Sequence, residues 1–269
     1  RGGRGGGGGG GGVGGRWGDA FTLDALPSSI VIAGGGYIAL EFANIFSGLG
    51  VDTTVVYRGE RVLRGFDHDI RAHVQNDMIR TGVKIICGST ISEVAPLSGD
   101  RKLVTLSNSM KLEADHVMWA VGREPNTKGL GLESAGVRLN DRGAVVVDEF
   151  SRSNVDSIWA VGDVTDRINL TPVAIREAQG FAETEFMGRP TSFDHADVAS
   201  AVFSRPAVGA VGLTEEQARQ KIGKIRVFRS AFRPMKHILA GNEQRTLMKL
   251  IVAADTDKVV GVPIAGPEG

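Results

Sequence analysis

The sequence predicts an α/β fold, in which a parallel sheet flanked by helices carries an antiparallel insert and is followed by an irregular middle segment and a smaller α+β region. Three observations carry the prediction. Apolar runs at 30–33, 52–57, 83–87 and 117–122 have the length of buried strands, and stretches at helical spacing separate them. The triplet Gly34-Gly35-Gly36 stands between the first such strand and the first helix. Between 91 and 115, short segments alternate with the turn clusters Ser98-Gly99-Asp100 and Ser107-Asn108-Ser109, the pattern of antiparallel hairpins.

Taken in order, residues 1–25 are read as a disordered glycine-rich segment, because such a composition buries too little apolar surface to offset backbone entropy. Order is expected to begin at the turn Leu26-Pro27-Ser28-Ser29, ahead of the strand Ile30-Val31-Ile32-Ala33. Apolar residues at helical spacing over 40–46 give a helix that Gly48 and Gly50 end, and 52–57 is a β-branched strand, completing a βαβ unit of about 30 residues. A second helix over 67–80 leads to the strand of Cys87; the hairpin insert follows, then a buried strand over 117–122. Two more strands are expected at 144–147 and 157–161, the second running into Gly162-Asp163. From about Ser200, strands alternate with a helix that Thr214 opens as N-cap.

Composition narrows the function. Lysine and arginine total 31, as do aspartate and glutamate, so no field of one sign gathers nucleic acid or an anionic membrane. No apolar run approaches the roughly 20 residues that span a bilayer, and no signal-peptide pattern opens the chain, so a soluble intracellular protein is expected. The single cysteine, Cys87, lies in an apolar run and reads as a small core residue; it leaves no intramolecular disulfide. The five histidines include no pair with an acid or thiol partner at zinc-ligand spacing, and no metal is expected.

The chemistry lies in the first crossover. Gly34-Gly35-Gly36-Tyr37-Ile38-Ala39 matches the Rossmann-type dinucleotide fingerprint, with alanine in the third small position. Gly34 makes the tight turn, Gly36 lets the backbone approach a pyrophosphate at the helix amino end, and Ala39 packs helix on strand. At the end of the second strand, an NAD site would place a carboxylate on the ribose 2′-hydroxyl. Here Tyr57-Arg58 stand instead, with Arg61 and Arg64 close behind, which favours NADPH. Glu60 is expected to pair with one of these arginines, leaving Arg58 and Arg64 as the main candidates. Charge-assisted hydrogen bonds of about 1.5–3 kcal/mol each would give such a pair roughly 3–6 kcal/mol on a 2′-phosphate. At about 1.4 kcal/mol per decade, that suffices for selection.

Together with these, Leu40-Glu41-Phe42-Ala43, Val62-Leu63-Arg64-Gly65-Phe66-Asp67, Ala120-Val121-Gly122-Arg123-Glu124-Pro125-Asn126-Thr127, Ala160-Val161-Gly162-Asp163-Val164-Thr165 and Leu170-Thr171-Pro172-Val173-Ala174 resemble the flavoprotein disulfide reductase family of the glutathione reductase type, in its bacterial and plant form. The resemblance runs from about Leu26 to Glu268. It implies an NADPH domain over 26–125, a central segment over 126–193 that completes a FAD site, and part of a homodimer interface domain over 194–269. Gly34, Gly36, Ile38 and Glu41 would face NADPH, Arg58 and Arg64 its 2′-phosphate, and Gly122 its ribose. Tyr37 would be a lid over the flavin, Asp163 would accept from the FAD ribitol, and the turn at Thr171 would present helix N–H groups to the flavin ring. The implied reaction passes electrons from NADPH through flavin to a disulfide and on to glutathione disulfide, in the cytoplasm or, for a plant-like enzyme, an organelle.

Against the family pattern, no earlier fingerprint for the ADP half of FAD occurs, no cysteine pair is present, and the sequence lacks the histidine-proline segment that supplies the thiol's base. The expectation is therefore an incomplete chain limited to NADPH binding, with an incomplete FAD site and no catalytic residue of its own. Pro263 also argues against a strand at 262–266, since proline lacks a ladder donor. Two other readings stay open: a lipoamide dehydrogenase-like member, which would want an acid in place of Arg58, and a non-catalytic nucleotide-binding module whose Arg1-Gly2-Gly3-Arg4 start engages RNA.

Overall fold

The computed structural model describes residues 14–267 and divides into two compact units, one of residues up to 122 together with those from 199 onward, the other of 123–198. In the first, β1 (Gly15–Arg16), β2 (Ser29–Ala33), α1 (Tyr37–Gly48), β3 (Asp52–Tyr57), α2 (His68–Arg80) and β4 (Lys84–Cys87) are followed by the insert β5 (Ile91–Pro96), β6 (Lys102–Leu106) and β7 (Lys111–Ala114), and then by β8 (His116–Trp119). The parallel sheet has the order β1-β8-β2-β3-β4, with Ala33 opposite both Val56 and Trp119. Four of the five β2 residues are buried, as a strand covered on both faces requires. One face packs on α1, whose buried Ala39, Leu40, Phe42, Ala43 and Phe46 form a helical stripe, and on Ile70, Val74 and Met78 of α2. The other face places Val31, Val56 and Val117 against Val104, Leu106 and Ala114 of the antiparallel insert. Because the chain leaves β2 through α1 to β3 on one side while β8 pairs on the other, a crevice opens at the carboxyl end of β2, where open α/β sheets bind ligands.

Residues 1–13 of the expected disordered segment lie outside the described residues, but 14–22 differ from that expectation. β1 pairs with β8, and a 3-10 turn over Trp17–Thr22 brings Trp17, half-buried, and Phe21, largely exposed, into ring contact with Phe42, so strand pairing and aromatic contact give this stretch structure despite its glycines.

After residue 198 the same unit continues with β9 (Ser200–Val202), β10 (Ala207–Gly212), α4 (Glu215–Lys221), β11 (Ile225–Phe232), α5 (Met235–Leu239), β12 (Thr246–Ala253) and β13 (Val259–Gly266). Their order is β11-β12-β13-β10-β9, antiparallel throughout, but Pro263 lies inside β13, a central strand, contrary to the sequence expectation. It pairs opposite Ala210, while the ladder to β12 has rungs at Met248↔Ile264 and Ile251↔Gly261 and skips the position opposite Lys249, where the missing N–H falls. Val202, Val208, Leu247 and Ala265 share a core with α1 and α2.

In residues 123–198 the regular elements are a 3-10 turn over Gly162–Thr165 and the helix Thr171–Met187, here α3. The strands expected at 144–147 and 157–161 are reduced to the isolated bridges Leu139↔Val145 and Arg152↔Trp159. Their backbone groups bond to separate loops, with Val145 N–H donating to Val164, Val146 to Arg138 and Ala160 to Ser151, so no ladder propagates.

Candidate dinucleotide site

The three glycines of the fingerprint do different work. Gly34 has φ +139°, and a Cβ there would lie 2.3 Å from the Ala120 carbonyl oxygen; its N–H donates to Val56 O at 2.9 Å, binding the end of β2 to β3. A Cβ on Gly35 would meet the Tyr57 ring at 2.4 Å, and one on Gly59 would meet the same ring at 2.6 Å. Tyr57 therefore occupies a slot that only two glycines leave open. Gly36 alone faces open space, with no atom within 4 Å of a Cβ; it is the N-cap of α1 and offers no side chain to the first N–H groups of that helix. Such an uncapped amino end with room above it fits an anionic group.

Of the fingerprint side chains, Tyr37 and Ile38 are half-buried, packed against the core, and Ala39 is fully buried. Glu41 is already engaged, accepting from the backbone N–H of Phe203 at 2.9 Å, while Asn44 accepts from Arg205 at 3.2 Å.

The loop between β3 and α2 is fastened to the fingerprint. Leu63 N–H donates to Gly35 O at 2.7 Å, Arg71 of α2 donates to the carbonyls of Val62 (2.7 Å) and Arg61, and Val62 N–H donates to Gln75 at 3.2 Å. Leu63 is buried with φ +54°, a conformation that persists only where the surroundings hold it. Arg61 is turned to His68, at 2.8 Å, and Glu60, expected to pair with one of the arginines, makes no ion pair among the described residues. Arg58 and Arg64 are exposed and make no ion pair among the described residues. Gly122, exposed with φ +150°, follows β8.

Within 123–198, the carboxylate of Asp163 is held by Arg123 at 2.8 Å. The preceding Gly162 donates its N–H to Glu177 at 2.6 Å, and Glu177, buried, also accepts from His195 (2.7 Å) and Arg167 (3.0 Å). Thr171 is exposed at the start of α3, whose N-cap Leu170 gives no side-chain acceptor. Arg123 lies inside one of the family-like motifs, which by itself assigns it no role. Glu177 was missed, although an acid on the buried stripe Val173–Glu177–Gly180 is a signal that sequence carries.

Cys87 is half-buried with its Sγ 3.8 Å from Gln75, and burial raises its pKa, with the Arg61 and Arg71 charges opposing. Among the described residues, no helix is long and apolar enough to cross a membrane.

A family model described as pyridine nucleotide-disulphide oxidoreductase matches residues 17–178, and the dimerisation domain of the same family matches 198–269. Glutathione reductase from Burkholderia cepacia is 45% identical over 250 residues, covering 93% of this chain and 56% of that protein. The chloroplastic/mitochondrial glutathione reductase of Pisum sativum is 45% identical over 249 residues, covering 93% and 45%. Among solved structures, the HOCl-induced flavoprotein disulfide reductase RclA from Escherichia coli superposes with a TM-score of 0.84 at 30% identity, over 92% of this chain and 57% of that one. The chain spans about half the length of the curated relatives it matches.

Proposed function

Because this chain belongs to the pyridine nucleotide-disulphide oxidoreductase family, we propose that it carries the NADPH site of a glutathione reductase-type enzyme. The observation that carries this reading is the loop of Arg58 and Arg64: hydrogen-bonded to the fingerprint through Leu63 and Gly35, it presents two cations with no ion-pair partner among the described residues where an NAD site would have a carboxylate. The open space at Gly36 fits a pyrophosphate, and the uncapped amino end of α1 supplies its N–H donors. Tyr37, Ile38 and Glu41 line the same helix start, and Gly122 leaves room for the coenzyme's ribose.

Asp163 and the turn at Thr171 are proposed to hold FAD. Glu177 holds the Gly162–Asp163 turn by its backbone, Arg123 orients the Asp163 carboxylate as an acceptor, and the N–H groups at the start of α3 stabilise negative charge on a reduced ring. When bound, NADPH supplies a hydride and FAD relays its electrons towards a disulfide. With Cys87 as its one cysteine, this stretch of sequence offers no redox pair, so the part proposed for it is binding and orientation. Glutathione disulfide as final acceptor, a homodimer built through 198–269, and a cytoplasmic or organellar setting complete the proposal, supported by the glutathione reductase relatives and the dimerisation-domain match.

Fluorescence titration of the chain with NADPH and NADH tests it: NADPH binds at least tenfold more tightly, and Arg58→Ala with Arg64→Ala abolishes the difference. Equal affinities in the unsubstituted chain overturn the coenzyme assignment.

A further inference from the structure

Lys249 is a charged residue at an inward-facing position of β12: Leu247, Lys249 and Ile251 alternate towards the core, and all three are buried. Its ammonium is bonded to both oxygens of Asp67 (2.7 and 2.9 Å), to Asp69 (2.7 Å) and to Glu215 (2.8 Å). Burial works against its charge, but these hydrogen bonds outweigh burial and raise its pKa. For Asp69, burial is likewise outweighed by Lys249 and Arg229, and its carboxyl is pulled down to about 2. A buried ammonium with three carboxylates is a poor source of net stability, since a well-packed apolar group often serves as well. Its geometry therefore asks for another account.

Asp67 supplies one. It is the N-cap of α2, accepting from Asp69 N–H at 3.0 Å, and it directly follows the sequence Arg64-Gly65-Phe66. One turn further on, Arg71 grips the carbonyls of Arg61 and Val62, so the first turn of α2 is the clamp on the arginine loop. Glu215 N–H, at the start of α4, donates to Asp67 at 3.0 Å and fixes the clamp a second time from the segment matched by the dimerisation-domain model. The geometry points to Lys249 as a positioning residue for coenzyme selection: through Asp67 it holds the start of α2, and with it Arg58 and Arg64, in register with the fingerprint. Selectivity for the 2′-phosphate is thus set partly by a strand of the dimerisation segment, an inference that rests on the NADPH reading above.

The test compares affinities of the full chain for NADPH and NADH, with urea unfolding alongside. Lys249→Met lowers the NADPH-to-NADH affinity ratio about tenfold while NADH affinity stays within about twofold, a pattern that general loosening does not produce. Asp67→Asn keeps the helix cap acceptor and removes the charge that Lys249 grips. It lowers the ratio in the same direction, by about threefold or more, and decides the matter if Lys249→Met does not fold. A preference for NADPH that survives unchanged in every variant that folds, or equal losses for both coenzymes, overturns the positioning role and leaves the NADPH reading standing. An unsubstituted chain with no preference overturns both.

Discussion

Two alanine substitutions two residues apart should separate what holds the fold from what holds the ligand. At Gly34, a methyl would sit 2.3 Å from the Ala120 carbonyl oxygen and 2.9 Å from its carbon. That is about an ångström inside ordinary contact, and the obstacle is backbone just past the end of β8, which cannot rotate away as a side chain could. The φ of +139° adds strain for any L side chain. Overpacking of about 1–3 kcal/mol and backbone strain of about 1–3 kcal/mol put the loss at roughly 2–6 kcal/mol, a large part of a typical domain's stability. At Gly36 the backbone is extended, φ −84° and ψ 178°, and nothing lies within 4 Å of the new methyl. Its only structural penalty is an alanine at an N-cap, about 0.5 kcal/mol. The same methyl fills the space proposed for the pyrophosphate, so NADPH affinity should fall at least tenfold, about 1.4 kcal/mol. Urea unfolding reads the first quantity, compared at constant m-value, and coenzyme fluorescence reads the second. Wild-type NADPH affinity in Gly36→Ala would refute the placement of the pyrophosphate, and wild-type stability in Gly34→Ala would refute the packing of β2 against β8.

Gly35→Ala should destabilise by about 1–3 kcal/mol because its methyl meets the Tyr57 ring, and a double-mutant cycle with Tyr57→Ala should recover part of the loss; strict additivity counts against the slot. Glu177→Ala strips His195, Arg167 and the Gly162 N–H of a buried carboxylate, and about 3–5 kcal/mol of stability should go with it; a change under 1 kcal/mol on the order of an exposed ion pair would contradict that. Asp69 titrates at about 2 rather than its ordinary 3.8, so its ionised form stabilises the folded chain above about pH 4 and that contribution is lost as pH falls towards 2. The loss amounts to about 1–2 kcal/mol once solvent around the partly exposed carboxylate is allowed for. Lys249→Met, which removes a main cause of the depression, should flatten the decline of the urea midpoint between about pH 5 and about pH 3; an equally steep decline argues that Lys249 does not act on Asp69.

What the sequence revealed follows from how local the determinants are. Gly34, Gly36 and Ala39 declare themselves because a strand, a tight turn and a helix start are encoded within ten residues, and α1 because Leu40, Ala43 and Phe46 recur at helical spacing. The insert was legible from its turns. The run at 144–147 has the composition of a strand, but only Ala144 and Val145 are buried there and Val146 is exposed, in a loop whose backbone finds single partners; the glycines around Trp17 hide its aromatic contact. Pro263 was read by a rule that holds for the donor it lacks, whereas the fold places that lack at a skipped rung. Lys249 and Asp67 lie 182 positions apart, and no local pattern relates them; the sign available was a lysine in register with Leu247 and Ile251.

In the proposed site, Arg58 and Arg64 grip a phosphate on the adenosine ribose. Phosphorus NMR of NADPH bound to the chain, followed through pH 5 to 8, tests it most directly, because a monoester's second ionisation lies near pH 6 and nearby cations lower it. Held between the two guanidinium groups, the 2′-phosphate should stay dianionic across that range and regain its ordinary titration in the Arg58→Ala, Arg64→Ala variant. A bound phosphate that titrates as it does free in solution would contradict it.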